Sequence, residues 1–161
     1  LESEFKSEKI DLHKFASKLC NGGELTRCYY YLCTPHLSDP PTQQELEKNA
    51  AMQKFVKAIE MLPNFMIRAG QLVFESSRNE YVQKQVDVQM AIDMVNMKDR
   101  MDKAIIVTGD MDFVPAINHL REHGVQVELV YMPTKVYRDL IKSVDVDKPI
   151  TEALVRACIM E

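Results

Sequence analysis

The sequence predicts an α/β fold with a mostly parallel sheet, on three features. Segments of helical and strand periodicity alternate along the chain. The short run Ala104-Ile105-Ile106-Val107 is continuously apolar, as in strands buried on both faces of a parallel sheet. An acidic turn follows that run directly, at the carboxyl end of the strand, where open α/β sheets keep their sites.

In chain order, Asp11 can cap a helix whose Leu12, Phe15, Ala16 and Leu19 recur at helical spacing, and Asn21-Gly22-Gly23 supplies its left-handed stop. Thr26–Thr34, rich in tyrosine, reads as a strand. Pro40-Pro41 closes a loop, and Thr42 with Glu45 makes a T-x-x-E capping box before a helix running to about Leu62 and stopping at Pro63. Met66–Glu75 reads as a strand broken at Ala69-Gly70, Ser76–Tyr81 as a polar connection, and Lys84 to about Lys98 as a helix. After the apolar strand, Asp112 can cap a helix with Phe113, Ala116, Ile117 and Leu120 on one face, ended by Gly124. Val125–Met132 is a further strand, Lys135–Ser143 a short helix, Val144–Ile150 a last strand, and a helix follows from Thr151.

At 161 residues the chain has the size of one compact domain. A net charge of −4 excludes a globally basic protein that coats duplex DNA by charge alone, while leaving room for a local basic groove. The longest apolar run, Cys28–Cys33, has six residues against the roughly 18 a membrane span needs, so no membrane-spanning helix is expected. Leu1–Lys6 lacks the pattern of a signal peptide, which leaves a cytoplasmic address as the expectation. Cys20, Cys28, Cys33 and Cys158 form no C-x-x-C pair and read as reduced, mostly buried thiols.

The chemistry concentrates between Lys84 and Asp112. On a helix containing Asp87 the nearest surface neighbours are Met90, Ala91 and Met94, so its carboxylate falls on the apolar side, where it needs a cation, a metal or backbone N–H groups. An N-cap at Asp87 is the simpler structural reading. Asp93 shares the polar face with Gln85, Gln89 and Asn96 and reads as a solvated carboxylate. In Thr108-Gly109-Asp110-Met111-Asp112-Phe113, two close carboxylates repel unless a proton or divalent cation intervenes. Asp112 doubles as an ordinary N-cap, whereas Asp110 caps nothing obvious in the sequence.

Taken together, Lys84-Gln85-Val86-Asp87 through Met94 and Ile106-Val107-Thr108-Gly109-Asp110-Met111-Asp112-Phe113 through Ile117, with Arg121-Glu122-His123-Gly124-Val125 closing the helix, resemble the NYN family, the LabA-like branch of the PIN-like nucleases. The resemblance is clearest over residues 84–131. It implies a PIN-like three-layer α/β/α sandwich whose acidic cluster binds Mg2+ or Mn2+ and hydrolyses phosphodiester bonds of single-stranded or structured RNA. By the same resemblance, Asp87, Asp110 and Asp112 are the metal-binding and catalytic carboxylates, Thr108 the hydroxyl residue that orients a water or ligand, and Lys84 the contact to substrate phosphate. The family's first strand is central and carries another Asp, and nothing in Leu1–Lys18 matches it. The expectation is a single domain over residues 1–161 lacking its first strand, with an apolar strand ending in a carboxylate upstream.

Two other classes stay open. One is an RNA-binding or regulatory module that keeps the fold without turnover, and self-association is compatible with either. The other is a haloacid-dehalogenase-type phosphotransferase, whose D-x-D-x-V pattern Asp110–Val114 fits literally, though that motif normally begins its domain. No G-x-x-x-x-G-K-[S/T] loop is present. His119 and His123 have zinc-like spacing, but at a helix end they more simply favour the dipole. Tyr29-Tyr30-Tyr31 can stack bases, yet alternate strand tyrosines more often pack in a core.

Overall fold

The structure, a computed structural model, describes residues 9–35, 37–75, 80–84 and 86–160, with side chains of residues 71–84 outside the description. Leu1–Lys6 and the polar connection at Ser76–Asn79 lie outside the described residues. Two compact units emerge, Leu25–Met90 and Leu1–Glu24 with Ala91–Glu161.

In the first unit, β1 (Cys28–Thr34) runs parallel to β2 (Phe65–Glu75), with α2 (Gln43–Glu60) as the crossover helix. The capping box forms: Thr42 Oγ1 accepts from the Glu45 N–H at 3.3 Å while Glu45 Oε2 accepts from the Thr42 N–H at 2.8 Å. Along α2 only Ile59 is fully buried, so the helix meets the sheet mainly at its carboxyl end. Tyr30 packs edge-on against Phe55 at 5.7 Å between ring centroids, and the Arg68 guanidinium lies over the Tyr29 ring at 5.2 Å. The tyrosines are thus half-buried packing residues.

β3 (Glu80–Lys84) pairs antiparallel with β2, which runs unbroken through Ala69-Gly70. This corrects two expectations. The second strand does not break, and Lys84 ends a strand instead of opening a helix. Backbone pairing, from Gln71 opposite Lys84 to Glu75 opposite Glu80, supplies the hydrogen bonds that helical periodicity would have assigned elsewhere.

In the second unit, β4 (Lys103–Val107), β5 (Gln126–Tyr131) and β6 (Val146–Pro149) form a parallel sheet in that order. The α/β class and its mostly parallel strands are therefore as the sequence predicts. Val127, Leu129 and Val130 on β5 are fully buried although they alternate between faces, so both faces of the central strand are covered. On one, α1 (Leu12–Leu19) and α6 (Glu152–Arg156) bring Phe15, Leu19 and Val155 together with Val130, Ile150 and Cys158. Also packed on β5 is α4 (Val114–Glu122), which buries Ala116, Ile117 and Leu120. Asp11 caps α1 through its carboxylate, 2.9 Å from the Lys14 N–H. Its own N–H donates to Cys158 O at 2.8 Å, tying α1 to the end of α6.

A carboxylate sits inside this apolar sheet. Glu128 is 5% exposed, and its oxygens accept hydrogen bonds from Lys103 at 3.0 Å and Lys148 at 2.6 Å. Burial pushes its carboxyl upward, but the hydrogen bonds and charges of the two ammonium groups outweigh that and hold it below the usual range. At the far end of α4, Arg121 donates to Asp145 Oδ1 at 2.8 Å and to Ser143 O at 3.0 Å, while Asp145 Oδ2 accepts from the Val127 N–H at 2.8 Å. The Val127 N–H first, and Arg121 with it, lower the Asp145 carboxyl below its ordinary value. Arg121 of the R-E-x-G run is thereby a structural clamp between helix and sheet. No described helix is long and apolar enough to cross a membrane.

Candidate active site at the carboxyl ends of the strands

β4 delivers the acidic turn. The Thr108 N–H still donates to Val130 O at 3.2 Å, continuing the parallel ladder one residue past Val107. There the chain turns, and local polar groups shape it: Thr108 Oγ1 accepts from the Asp110 N–H at 3.1 Å and Asp110 Oδ1 accepts from the Asp112 N–H at 2.9 Å. Met111–Phe113 is a short 3-10 turn with Asp110 as its N-cap, and Phe113, buried at its end, anchors it in the core. Pro115 lies in the first turn of α4 that follows.

The capping roles are the reverse of those expected. Asp110 makes the cap and Asp112 lies within the 3-10 turn, because an Asp in extended conformation can bond its own backbone two residues on. Asp112 is exposed, and among the described residues its carboxylate has no hydrogen-bond or ion-pair partner. Thr108, at the head of the turn, uses its hydroxyl to hold Asp110.

Gly109 is required for space. Its φ is not in the left-handed region, but a Cβ there would lie 2.0 Å from Lys135 O. The segment after β5 and the acidic turn after β4 therefore touch backbone to backbone. Sequence reading singles out Gly109 only as part of the motif, since nothing local reveals the neighbour that excludes a side chain.

Asp87 lies in the first turn of α3 (Val86–Met97), with its side chain exposed. This corrects the expectation of a carboxylate on the apolar side: Met94 is buried there, while Asp87 faces solvent. Within its unit Asp87 is close enough to Cys33, near the carboxyl end of β1, for its charge to add to burial in pushing the Cys33 thiol up. Asp93 is half-buried and engaged rather than free. The backbone of Lys84 ends β3, and its side chain, like the whole of Gln85, lies outside the described residues. Among the described residues no group of three or more His, Cys, Asp or Glu side chains is gathered closely enough to hold a metal ion.

The histidine pair is a helix-end feature. His123 is the C-cap of α4, its Nδ1 lies 2.8 Å from His119 O, and the two rings stand 4.2 Å apart.

The acidic turn at the carboxyl end of a parallel strand lies where open α/β sheets keep their ligand sites. The NYN domain model matches residues 2–150. The chain belongs to the NYN domain family, a family of nuclease-type domains. It is similar to Low amplitude and bright protein LabA of Synechococcus elongatus, 28% identical over 123 residues that make up 76% of this chain and 61% of that protein. The match thus spans less than two thirds of the relative's length, and supports the LabA-like branch of the family. The fold is similar to that of a crystal structure of a protein of unknown function from Vibrio parahaemolyticus. That likeness has a TM-score of 0.66 and 15% identity, and covers 99% of this chain and 87% of the other.

Proposed function

We propose that this chain is a divalent-metal-dependent ribonuclease that hydrolyses RNA phosphodiester bonds with Asp110, Asp112 and Asp87 as metal-binding carboxylates, Thr108 orienting the turn and Lys84 contacting substrate phosphate. The observation that carries the reading is the acidic turn itself. Asp110 spends one oxygen on the Asp112 N–H, and the Asp112 carboxylate is exposed and uncommitted among the described residues. Two like charges held this close favour a cation. The donor chemistry fits, because carboxylate oxygens are hard ligands that suit Mg2+ or Mn2+. Such an ion, when bound, polarises a phosphate and lowers the pKa of a coordinated water towards neutrality. The chain's own contribution is preorganisation: Thr108 and Asp110 lock the turn so that its carboxylates keep their aim without substrate. Single-stranded or structured RNA in the cytoplasm is the substrate class of this reading, and it is compatible with self-association.

The same reading treats residues 1–161 as one nuclease domain without the family's first strand, with β4 as the edge along which that strand, apolar and carrying the remaining acid, would pair. Edge strands are ordinarily blunted by charge or proline. β6 has Asp147, Lys148 and Pro149, whereas β4 after Lys103 is apolar throughout. Slow hydrogen exchange of the β4 amides that point away from β5 is the expected sign of such a strand.

The second reading is a binding or regulatory module that keeps the fold without turnover. Cleavage of a labelled single-stranded RNA with Mg2+, with Mn2+ and with chelator separates the two. The ribonuclease reading expects metal-dependent cleavage that Asp110→Asn abolishes, since Asn caps the turn as well as Asp but removes the charge. Metal-dependent cleavage unchanged in Asp110→Asn would show the site to be elsewhere.

A further inference from the structure

After Tyr131 the chain crosses the carboxyl end of the sheet through residues 132–137 and enters α5 (Arg138–Lys142). The Lys135 N–H donates to Met132 O at 2.9 Å, which folds this segment into a turn. The Lys135 carbonyl then presses on Gly109 of the acidic turn, and α5 packs against Met111–Phe113. All of this lies within one unit, so the segment is fastened at two points to the turn that bears Asp110 and Asp112.

The run Lys135-Val136-Tyr137-Arg138 sets two cations around an aromatic ring. Tyr137 is 63% exposed and begins α5 with its backbone, making no side-chain cap bond. Lys135 and Arg138 are exposed, and neither pairs with a carboxylate of a described residue. In the same unit Lys98, Lys103, Arg121, Lys142, Lys148 and Arg156 are each committed to an ion pair, while Lys14, Lys18 and Arg100 share with Lys135 and Arg138 the lack of a described carboxylate partner, but not their place beside the acidic turn. A single exposed tyrosine means little. An exposed ring between two uncommitted cations, bolted to a turn whose own charges repel phosphate, has the composition of a single-strand binding platform, where aromatic faces stack bases and cations follow the backbone.

We propose that Lys135-Val136-Tyr137-Arg138 is the surface that holds single-stranded RNA beside the acidic turn, with Tyr137 stacking a base and Lys135 and Arg138 contacting phosphates. The inference rests on the ribonuclease reading and adds the residues that carry affinity for its substrate. It also answers the charge problem of an acidic chain that must approach a polyanion, because attraction needs only a local patch.

The test is fluorescence anisotropy of a labelled single-stranded RNA of about ten nucleotides, titrated with the full chain in chelator at several salt concentrations. Tyr137→Ala weakens binding about tenfold at every salt, and Tyr137→Phe restores it. Lys135→Gln with Arg138→Gln lowers the steepness of log K against log salt by about 1.4, at roughly 0.7 per single-strand phosphate contact. Lys142→Gln, whose lysine already pairs with Asp139, changes neither. Wild-type affinity in Tyr137→Ala, or an unchanged salt slope in the double variant, overturns the platform. Metal-dependent cleavage retained by the wild type then shows that only the platform has failed. Neither binding nor cleavage of RNA by the wild type overturns the ribonuclease reading and the platform together.

Discussion

Replacing Gly109 by alanine tests the contact on which the site's geometry depends. The added Cβ falls 2.0 Å from Lys135 O, whereas real Cβ contacts essentially never lie under 3.0 Å, so the two backbones must part by at least about 1 Å. Both are main chain, and no rotamer change relieves them. Overpacking of this kind costs about 1–3 kcal/mol, which for a chain of this length lowers the melting temperature by roughly 3–10 °C. The displacement falls on the turn bearing Asp110 and Asp112, and a shift of about 1 Å in a catalytic group costs on the order of a hundredfold in rate. Thermal melts followed by circular dichroism, with single-turnover RNA cleavage in Mg2+, read the two effects. Gly124→Ala is the control: its φ of +83° strains an alanine, but nothing lies within 4 Å of the new Cβ. It should therefore lose roughly 1 kcal/mol of stability and keep its cleavage rate. Wild-type melting and cleavage in Gly109→Ala would refute the backbone contact and the positioning argument built on it.

Three further outcomes are expected. Thr108→Val removes the acceptor of the Asp110 N–H, costing about 0.5–1.5 kcal/mol, and cleavage should fall more than stability because the loosened turn carries the carboxylates. Glu128→Gln breaks a buried ion cluster, but the lysine side chains are 36% and 34% exposed and can hydrate, so the usual penalty shrinks to about 1–2 kcal/mol. Because the folded Glu128 carboxyl is held below its unfolded value, its contribution is fully present above about pH 4.3 and disappears as pH falls through the folded value. The wild-type advantage over Glu128→Gln in denaturant titrations should therefore be steady at neutral pH and close in acid, and a gap that widens in acid would contradict the charge arrangement. Isothermal titration with Mn2+ should give a heat of binding that Asp112→Asn diminishes.

Signals within one turn of chain were legible in the sequence. Asp11, the Thr42–Glu45 box and Thr151, which accepts from the Leu154 N–H at 3.2 Å, all act over three residues, so residue type and spacing suffice. The apolar run of β4 was equally plain as a strand, but the expected burial on both faces is not met, since only Ile106 is buried and Val107 is 46% exposed. What depends on distant partners was hidden. β3 exists through its pairing with β2, and its short mixed sequence carries no periodicity of its own. The acidic turn was found at the right place with its caps exchanged, since only the backbone conformation at Asp110 decides which carboxylate bonds which N–H. Glu128 passed unmarked, although an acid within Val-Glu-Leu-Val should prompt a search for lysines on adjacent strands. The meeting of Gly109 with Lys135 could not be read at all, because it joins two loops through main-chain atoms.

Glu128 has a consequence for how the sheet assembles. Apolar residues on β5 and β6 are satisfied by any slide of two residues, since such a slide returns every side chain to its own face. The carboxylate is less permissive. A two-residue slip of β6 that moves Lys148 from beside Val130 towards the carboxyl end of β5 would carry it roughly 6–7 Å further from Glu128, leaving a desolvated acid with one cation where it now has two. A one-residue slip would turn Lys148 to the opposite face. The Lys103–Glu128–Lys148 bridge thus acts as a directional register key, disfavouring those misthreaded sheets that part either lysine from the acid and that hydrophobic matching alone would accept during collapse.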